Sequence, residues 1–407
     1  MKLVVDTMPG FGSVALGLFM PVGAYTESED QQGLSHFLEH LVFKGTPKRS
    51  AGDIAIEIDG TGGELNAYTS VELTSFYAKV LVDDVDLALD LLFDITYNPS
   101  LQDDSINLER GVVLSEIAEF MDAPDEIASV RAFQAAWGTH PLARSVLGFP
   151  EVIKEVSPNN VRKYHKDHYK PENTVLSACG GITYEQLSVK LEKLGIPHEP
   201  LNGKTSYVED RPEFKPNKLC MDRDSEQVYF TYVWPGPTLC DAEMAEALVS
   251  SVIIAGSISS RLFQRLREKE GLVYNISMMS SFSKSAGLLG VYGAVPKENY
   301  QKSRDILLYE LDNLRNHGVT EEELERAKRM IKGSTTLSLE SNMARMDRSG
   351  KFGLLLGQVP SLEETLNRID SLGIKNFNNY IKHNIPEDYA ISLVGKGICN
   401  QKGFVSD

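Results

Sequence analysis

Two rhythms of apolar and polar positions run along this chain. Ser75-Phe76-Tyr77-Ala78-Lys79-Val80-Leu81 and Gly287-Leu288-Leu289-Gly290-Val291-Tyr292 carry the short-period pattern of strands with a buried face. Elsewhere apolar residues recur at intervals of three and four, the period of a helix packed on one side. In the first half these rhythms predict a strand over 13–22, a helix over 34–44, strands within 63–81, and helices over 85–97 and 104–121. In the second half they predict a strand over 227–234, helices over 242–254 and 260–269, strands within 274–295, and helices over 297–317 and 320–339. Thr320 with Glu323 makes a capping box for the last of these. Pro197, Pro200, Pro212 and Pro216, set among charges, mark 198–217 as a linker between 1–197 and 218–407. A chain of 407 residues exceeds the usual size of one core, so two domains are expected. The halves echo each other, and strict βαβ alternation is absent. The expected fold is α+β, with two duplicated domains, each an antiparallel-rich sheet packed with helices on one face.

Composition narrows the partners. A formal net charge of −16 disfavours nucleic acid and anionic membrane. Hydrophobic content of 42% and charged content of 24% are those of a soluble globular protein. No run approaches the length of a transmembrane helix. Met1-Lys2-Leu3-Val4-Val5-Asp6 reads as a strand and not as a signal peptide. Cys179, Cys220, Cys240 and Cys399 are dispersed and are expected as free thiols. These features together point to the cytoplasm.

The chemistry concentrates in His36-Phe37-Leu38-Glu39-His40. On a helix, residues four apart share one face, the spacing at which two imidazoles bind one metal ion. Glu39 falls about 100° round from His40, within reach of a water on that metal. The order His-x-x-Glu-His reverses the commoner His-Glu-x-x-His of zinc proteases. A solvated helix face would also carry such residues. Leu34, Phe37, Leu38, Leu41 and Val42 fill the opposite arc, however, leaving only a narrow polar strip. Gly33 and Ser35 suit the start of this helix, and Gly45-Thr46-Pro47 stops it. A zinc site with two His needs a third protein ligand. Over 105–120, Ile106, Glu109, Val112, Val113, Glu116 and Phe120 fall on one helical stripe. Carboxylates within an apolar stripe need a partner, either Arg or Lys or a metal. Glu119 points elsewhere and reads as a surface residue.

His36-Phe37-Leu38-Glu39-His40 followed by Glu116, 76 residues beyond His40, resembles the pitrilysin-type inverzincin metallopeptidases. Gly62-Gly63-Glu64-Leu65-Asn66-Ala67-Tyr68-Thr69, Glu72-Leu73-Thr74-Ser75-Phe76-Tyr77, Glu109-Arg110, Ser115-Glu116-Ile117 and Gly138-Thr139-His140-Pro141-Leu142 extend the likeness. It is nearest to the short bacterial and mitochondrial processing peptidase-like members. The resemblance implies Zn2+ held by His36, His40 and Glu116, with Glu39 as general base and then general acid. Glu109, on the stripe of Glu116, is the candidate for orienting a ligand. Leu65-Asn66-Ala67-Tyr68-Thr69 resembles the family's exposed edge strand, where Asn66 and Ala67 would hold an extended peptide substrate.

The second half lacks the motif, and its counterpart, Ser250–Arg261, carries no metal ligands. Arg267 and Tyr274 stand seven apart across Gly271, a spacing at which family members hydrogen-bond substrate near the scissile carbonyl. In relatives four such domains enclose a chamber, so a homodimer, or a heterodimer with a metal-free homologue, is implied. The function implied is zinc-dependent endopeptidase on unstructured or presequence-like peptides. Two other readings are a non-catalytic subunit or scaffold of a processing-peptidase-like heterodimer, and a metal-dependent hydrolase of small molecules.

Overall fold

The computed structural model describes residues 1–203 and 210–399. Residues 204–209, part of the stretch read as a linker, and 400–407 lie outside the described residues. The first half runs β1 (Lys2–Thr7), β2 (Ser13–Met20), α1 (Leu34–Leu41), α2 (Ala51–Asp59), β3 (Glu64–Thr69), β4 (Thr74–Leu81), α3 (Val85–Tyr97), α4 (Asp103–Met121), α5 (Pro124–Trp137), α6 (Pro150–Glu155), α7 (Pro158–His168), β5 (Val175–Gly180), α8 (Tyr184–Lys193) and β6 (Glu199–Pro200). The second runs β7 (Lys218–Asp222), β8 (Gln227–Gly236), α9 (Met244–Ile254), a π-helical segment Phe263–Lys269, β9 (Ile276–Phe282), β10 (Gly287–Pro296), α10 (Tyr300–His317), α11 (Glu321–Ser338), α12 (Asn342–Leu356), α13 (Leu362–Asp370), α14 (Ile374–Asn384) and β11 (Ala390–Gly395).

Two sheets form. One has the order β3-β4-β2-β5-β1-β6 and the other β7-β11-β8-β10-β9. Read from β3 and from β9, both run two hairpin strands, a central strand, a late strand and an early strand. Apart from β6, which pairs in parallel with β1 in the first sheet only, the pairings match: antiparallel, except for the early and late strands, which pair in parallel. This shared topology is the structural trace of duplication.

The chain divides into two compact units that are not contiguous stretches. Unit one is Met1–Ala118, Arg144–Val208 and Leu337–Pro360; unit two is Glu119–Ala143, Glu209–Thr336 and Ser361–Asp407. Each unit borrows one helix from the other half: α12 lies on β1, β2 and β5, and α5 lies on β7, β8 and β11. Each sheet is therefore covered on both faces, where the sequence pattern predicts helices on one. The physical reason is visible in β2, Ser-Val-Ala-Leu-Gly-Leu-Phe-Met, which is buried at all but its first position. A continuous apolar run is what a strand needs when both faces are covered. Leu16 and Leu18 join the main core of unit one. On the other face, Gly350 of α12 lies so close to the Phe19 ring that a Cβ there would fall 2.0 Å from it.

Unit two carries a correction. Cys220 on β7 and Cys399 after β11 form a disulfide, with Cα atoms 5.5 Å apart. The parallel pairing of β7 with β11 brings together residues 179 apart in sequence, a proximity spacing does not show. Cys179 and Cys240 are free. The cysteines therefore no longer argue for a reducing compartment. None of the described helices is long and apolar enough to cross a membrane.

Candidate metal centre

The helix that carries His36, Glu39 and His40 is short and tightly held at its start. Gly33 is its N-cap at φ 96°, a left-handed conformation that favours glycine. A Cβ on Gly33 would lie 2.7 Å from the Leu147 carbonyl, and one on Gly148 would lie 2.2 Å from the Gln32 carbonyl. Two glycines thus allow the loop before α6 to press against the entry to α1. Buried Glu27 accepts hydrogen bonds from the Gly33 and Ser35 backbone N–H groups, both at 2.8 Å. It satisfies helix-end donors and places negative charge at the positive end of the helix. Ser35 in turn bonds the Tyr164 hydroxyl at 2.9 Å. Phe37, Leu38 and Leu41 are buried on the opposite side.

The polar strip meets α4. His36 Nε2 lies 3.7 Å, and His40 Nε2 3.4 Å, from Glu116 Oε2. These three atoms all lie within 4.8 Å of one another, the one such cluster of three or more potential ligands among the described residues. Glu116 Oε2 is buried without a hydrogen-bond partner. Tetrahedral ligands about 2.0–2.2 Å from zinc sit roughly 3.4 Å from each other. The separations here are near that value, and the donor set, two imidazoles and one carboxylate, suits zinc with a position left for solvent. Burial first, then the neighbouring His40, holds the His36 imidazole down to about 4. His36 is therefore neutral near pH 7, as a ligand must be.

Glu109, 3% exposed, turns one oxygen to each of two partners. Its Oε1 lies 3.0 Å from His40 Nδ1 and its Oε2 2.8 Å from Lys44 Nζ. Both partners suggested by the sequence, a basic side chain and a ligand to be oriented, meet this one carboxylate. Val112, placed on the same stripe by spacing, is 43% exposed. The buried line on α4 is Ile106, Glu109, Val113 and Ile117, at intervals of three, four and four. Phe120 packs in unit two against the cluster of Ile127, Ala128 and Val394.

Glu39 faces the end of β3. Burial is the largest influence on its carboxyl and, with the neighbouring Glu116, raises it above the ordinary value, while Thr69 and the nearby His40 act in the opposite direction. Strand β3 is the last of its sheet, and no described strand pairs with its outer side. Its register shows which groups face out. Ser70 N–H donates to the Leu73 carbonyl at 2.8 Å. Bonded and non-bonded pairs alternate from there along an antiparallel ladder. The pairs Thr69–Thr74, Ala67–Phe76 and Leu65–Ala78 are then non-bonded, so Leu65, Ala67 and Thr69 turn their backbone groups outward. Asn66 Oδ1 accepts the outward Ala67 N–H at 2.8 Å. Leu65, Ala67 and Thr69 thus line the strand-free edge of β3, which ends beside Glu39, with the Ala67 N–H held by its neighbour Asn66.

Arg267 and Tyr274 belong to unit two. The helix predicted over 260–269 is π-helical from Phe263 to Lys269. The Arg267 guanidinium lies over the Phe263 ring at 4.7 Å and over the Tyr274 ring at 5.4 Å. Tyr274 is 83% exposed. Sequence reasoning missed Lys44, Glu27 and Thr69. Lys44 had a signal, since it stands four residues beyond His40; Glu27 and Thr69 reach α1 through tertiary contacts alone.

Two family models match the chain: the insulinase family, peptidase family M16, over residues 4–149, and the peptidase M16 inactive domain over 155–331. The second interval holds none of the three clustered donors. The chain is 34% identical to the Bacillus subtilis protein named uncharacterized zinc protease YmxG, over 97% of this chain and 95% of that one. It is 33% identical to a protein of the same description from Streptomyces coelicolor, over 91% and 82%. Among solved structures, a peptidase M16 inactive domain from Pseudomonas fluorescens superposes with TM-score 0.89 at 19% identity, covering 97% and 96%. A protease from Helicobacter pylori gives 0.87 at 20%, covering 97% and 96%. By sequence over nearly its whole length, and by fold, the chain belongs to the peptidase M16 family.

Proposed function

We propose that this protein is a zinc-dependent endopeptidase acting on extended, unstructured peptides. The observation that carries the reading is the convergence of His36 Nε2, His40 Nε2 and Glu116 Oε2 beside Glu39 and the open edge of β3. A zinc ion bound there would polarise a carbonyl and make a water nucleophilic near neutral pH. The remaining work falls to side chains and backbone. Glu39 takes a proton from the attacking water and returns it to the leaving amine. Glu39 lies beside Thr69 at the end of β3, where a peptide added to the edge would stop. Leu65 and Ala67 pair with the peptide backbone, with Asn66 turning from the Ala67 N–H to the substrate. Alternate substrate side chains then project to either side of the sheet. Arg267 and Tyr274 donate to the oxyanion, a role consistent with an exposed Tyr stacked against a guanidinium.

A second copy of the chain completes an enclosure around the site in this proposal, supported by the family resemblance and by the two duplicated sheets per chain. The deciding experiment is Glu39→Gln with zinc content and hydrolysis of a quenched unstructured peptide measured together. Stoichiometric zinc with activity lowered at least a hundredfold is expected. Full activity in that variant would end the proposal.

A further inference from the structure

We infer that Lys44 is a positioning residue of the metal centre, fixing Glu109 so that His40 presents Nε2 toward His36 and Glu116. The inference rests on reading the site as a zinc centre. Lys44 closes the 3-10 turn Val42–Lys44 that continues α1, four residues beyond His40. Its side chain is 38% exposed, so it reaches in from the rim, while the Glu109 side chain is 4% exposed. A carboxylate taken so far out of water needs a donor on each oxygen. His40 Nδ1 serves one oxygen at 3.0 Å and Lys44 Nζ serves the other at 2.8 Å. The Lys44 contact is charge-assisted, the stronger kind of hydrogen bond. With both oxygens held, the carboxylate plane cannot rotate away from His40. The His40 Nδ1–H then donates to Glu109, and the lone pair is left on Nε2. His36 has no such arm: its Nδ1 is buried with no hydrogen-bond partner among the described residues. One ligand ring is thus held at its Nδ1 by a two-residue chain, and the other has no hydrogen-bond partner at that atom among the described residues.

The test uses the full-length protein with Lys44→Met, Lys44→Arg and Lys44→Gln. Two readouts are taken: zinc affinity by competition with a chromogenic chelator, and ring nitrogen chemical shifts of His40 in the metal-free protein. Wild type is expected to show a single Nδ1–H tautomer. Lys44→Met is expected to show mixed tautomers and zinc affinity lower by about tenfold, the scale of losing a group behind a ligand. Lys44→Arg should restore both readouts. A Lys44→Met protein with unchanged zinc affinity and a single tautomer overturns the inference. Should Lys44→Met fail to fold, Lys44→Gln, similar in length and still a donor but uncharged, decides it by the same two readouts. If wild type binds no zinc, the zinc reading of the site fails. The ring spectra still judge Lys44.

Discussion

Glu109 Oε1 lies 3.0 Å from His40 Nδ1, across the imidazole ring from the Nε2 that lies 3.4 Å from Glu116. The two carboxylates of α4 thus address opposite edges of one ring. This arrangement predicts that Glu109→Ala lowers zinc affinity about 10- to 100-fold while leaving His36, His40 and Glu116 in place. Chelator competition on the purified variant measures it; an unchanged dissociation constant would show that the contact does not orient the ligand.

Edge-strand binding makes a prediction that separates folding from substrate capture. Ala67 turns its N–H away from β4, so Ala67→Pro removes no bond of the sheet ladder. The same change deletes a donor to a substrate strand. Losing one backbone hydrogen bond should raise KM roughly 3- to 10-fold, with zinc content unchanged. Steady-state kinetics on a short peptide checks it. A KM equal to wild type would place the substrate elsewhere.

Glu27 holds two backbone N–H groups at the start of the metal-bearing helix. In Glu27→Ala both donors stay buried without an acceptor, at about 1–3 kcal/mol each. Urea denaturation of the variant should show a clear loss of stability, of order 2–6 kcal/mol, in the transition of unit one. A loss below about 0.5 kcal/mol, the range of an ordinary surface substitution, would mean that water replaces the carboxylate.

The Arg261–Glu323 pair gives unit two an acid-sensitive contact. Arg261 Nε meets Glu323 Oε1 at 2.7 Å, and each side chain is 17% exposed. Burial pushes the Glu323 carboxyl up most, but bonds from Arg261 and from the Thr320 N–H outweigh it and hold the group at about 2. A depressed carboxylate stabilises the fold above its unfolded pKa, about 4.5, and that stability is lost as pH falls toward about 2. The span corresponds to about 3 kcal/mol as an upper figure. Glu323→Gln should therefore be less stable than wild type at pH 7, and the difference should shrink between pH 4.5 and 2. Thermal melts of both proteins across that range test it; a constant difference would contradict the assignment.

If the proposed enclosure places Arg267 and Tyr274 of one copy at the metal centre of another, inactive chains should complement. Mixing Glu39→Gln with Tyr274→Phe should restore activity in mixed dimers, up to one intact site each. No recovery, with subunit exchange demonstrated by a tagged chain, would assign Arg267 and Tyr274 to their own chain's site.

Much of the fold was legible along the chain because its signals are local. The predicted helix over 85–97 coincides with α3, and the predicted pairs of strands fall on β3 and β4 and on β9 and β10. The Thr320–Glu323 capping box forms, with Glu323 N–H donating to the Thr320 hydroxyl at 3.2 Å. The i, i+4 spacing of His36 and His40 is a property of any helix. What stayed hidden depends on contacts between distant segments. No periodicity shows that α12 crosses to the first sheet, that Cys220 meets Cys399, or that Phe263–Lys269 winds as a π-helix.

The sequence by itself determined the most periodic elements, α3 and the strand pairs β3–β4 and β9–β10 among them, the echo between the halves and the residues able to ligate a metal, since these follow from side-chain type and helical or strand period. Only tertiary structure decided which atoms converge. Packing of α1 against α4 selects Glu116 Oε2 as the partner of both imidazoles and turns Glu109 toward His40 and Lys44. It also leaves the outer edge of β3 without a described partner strand, ending at Glu39. The physical reason is range: a helix or strand period is set within a few residues. A ligand set or an open edge requires segments far apart in the chain to pack at ångström separation.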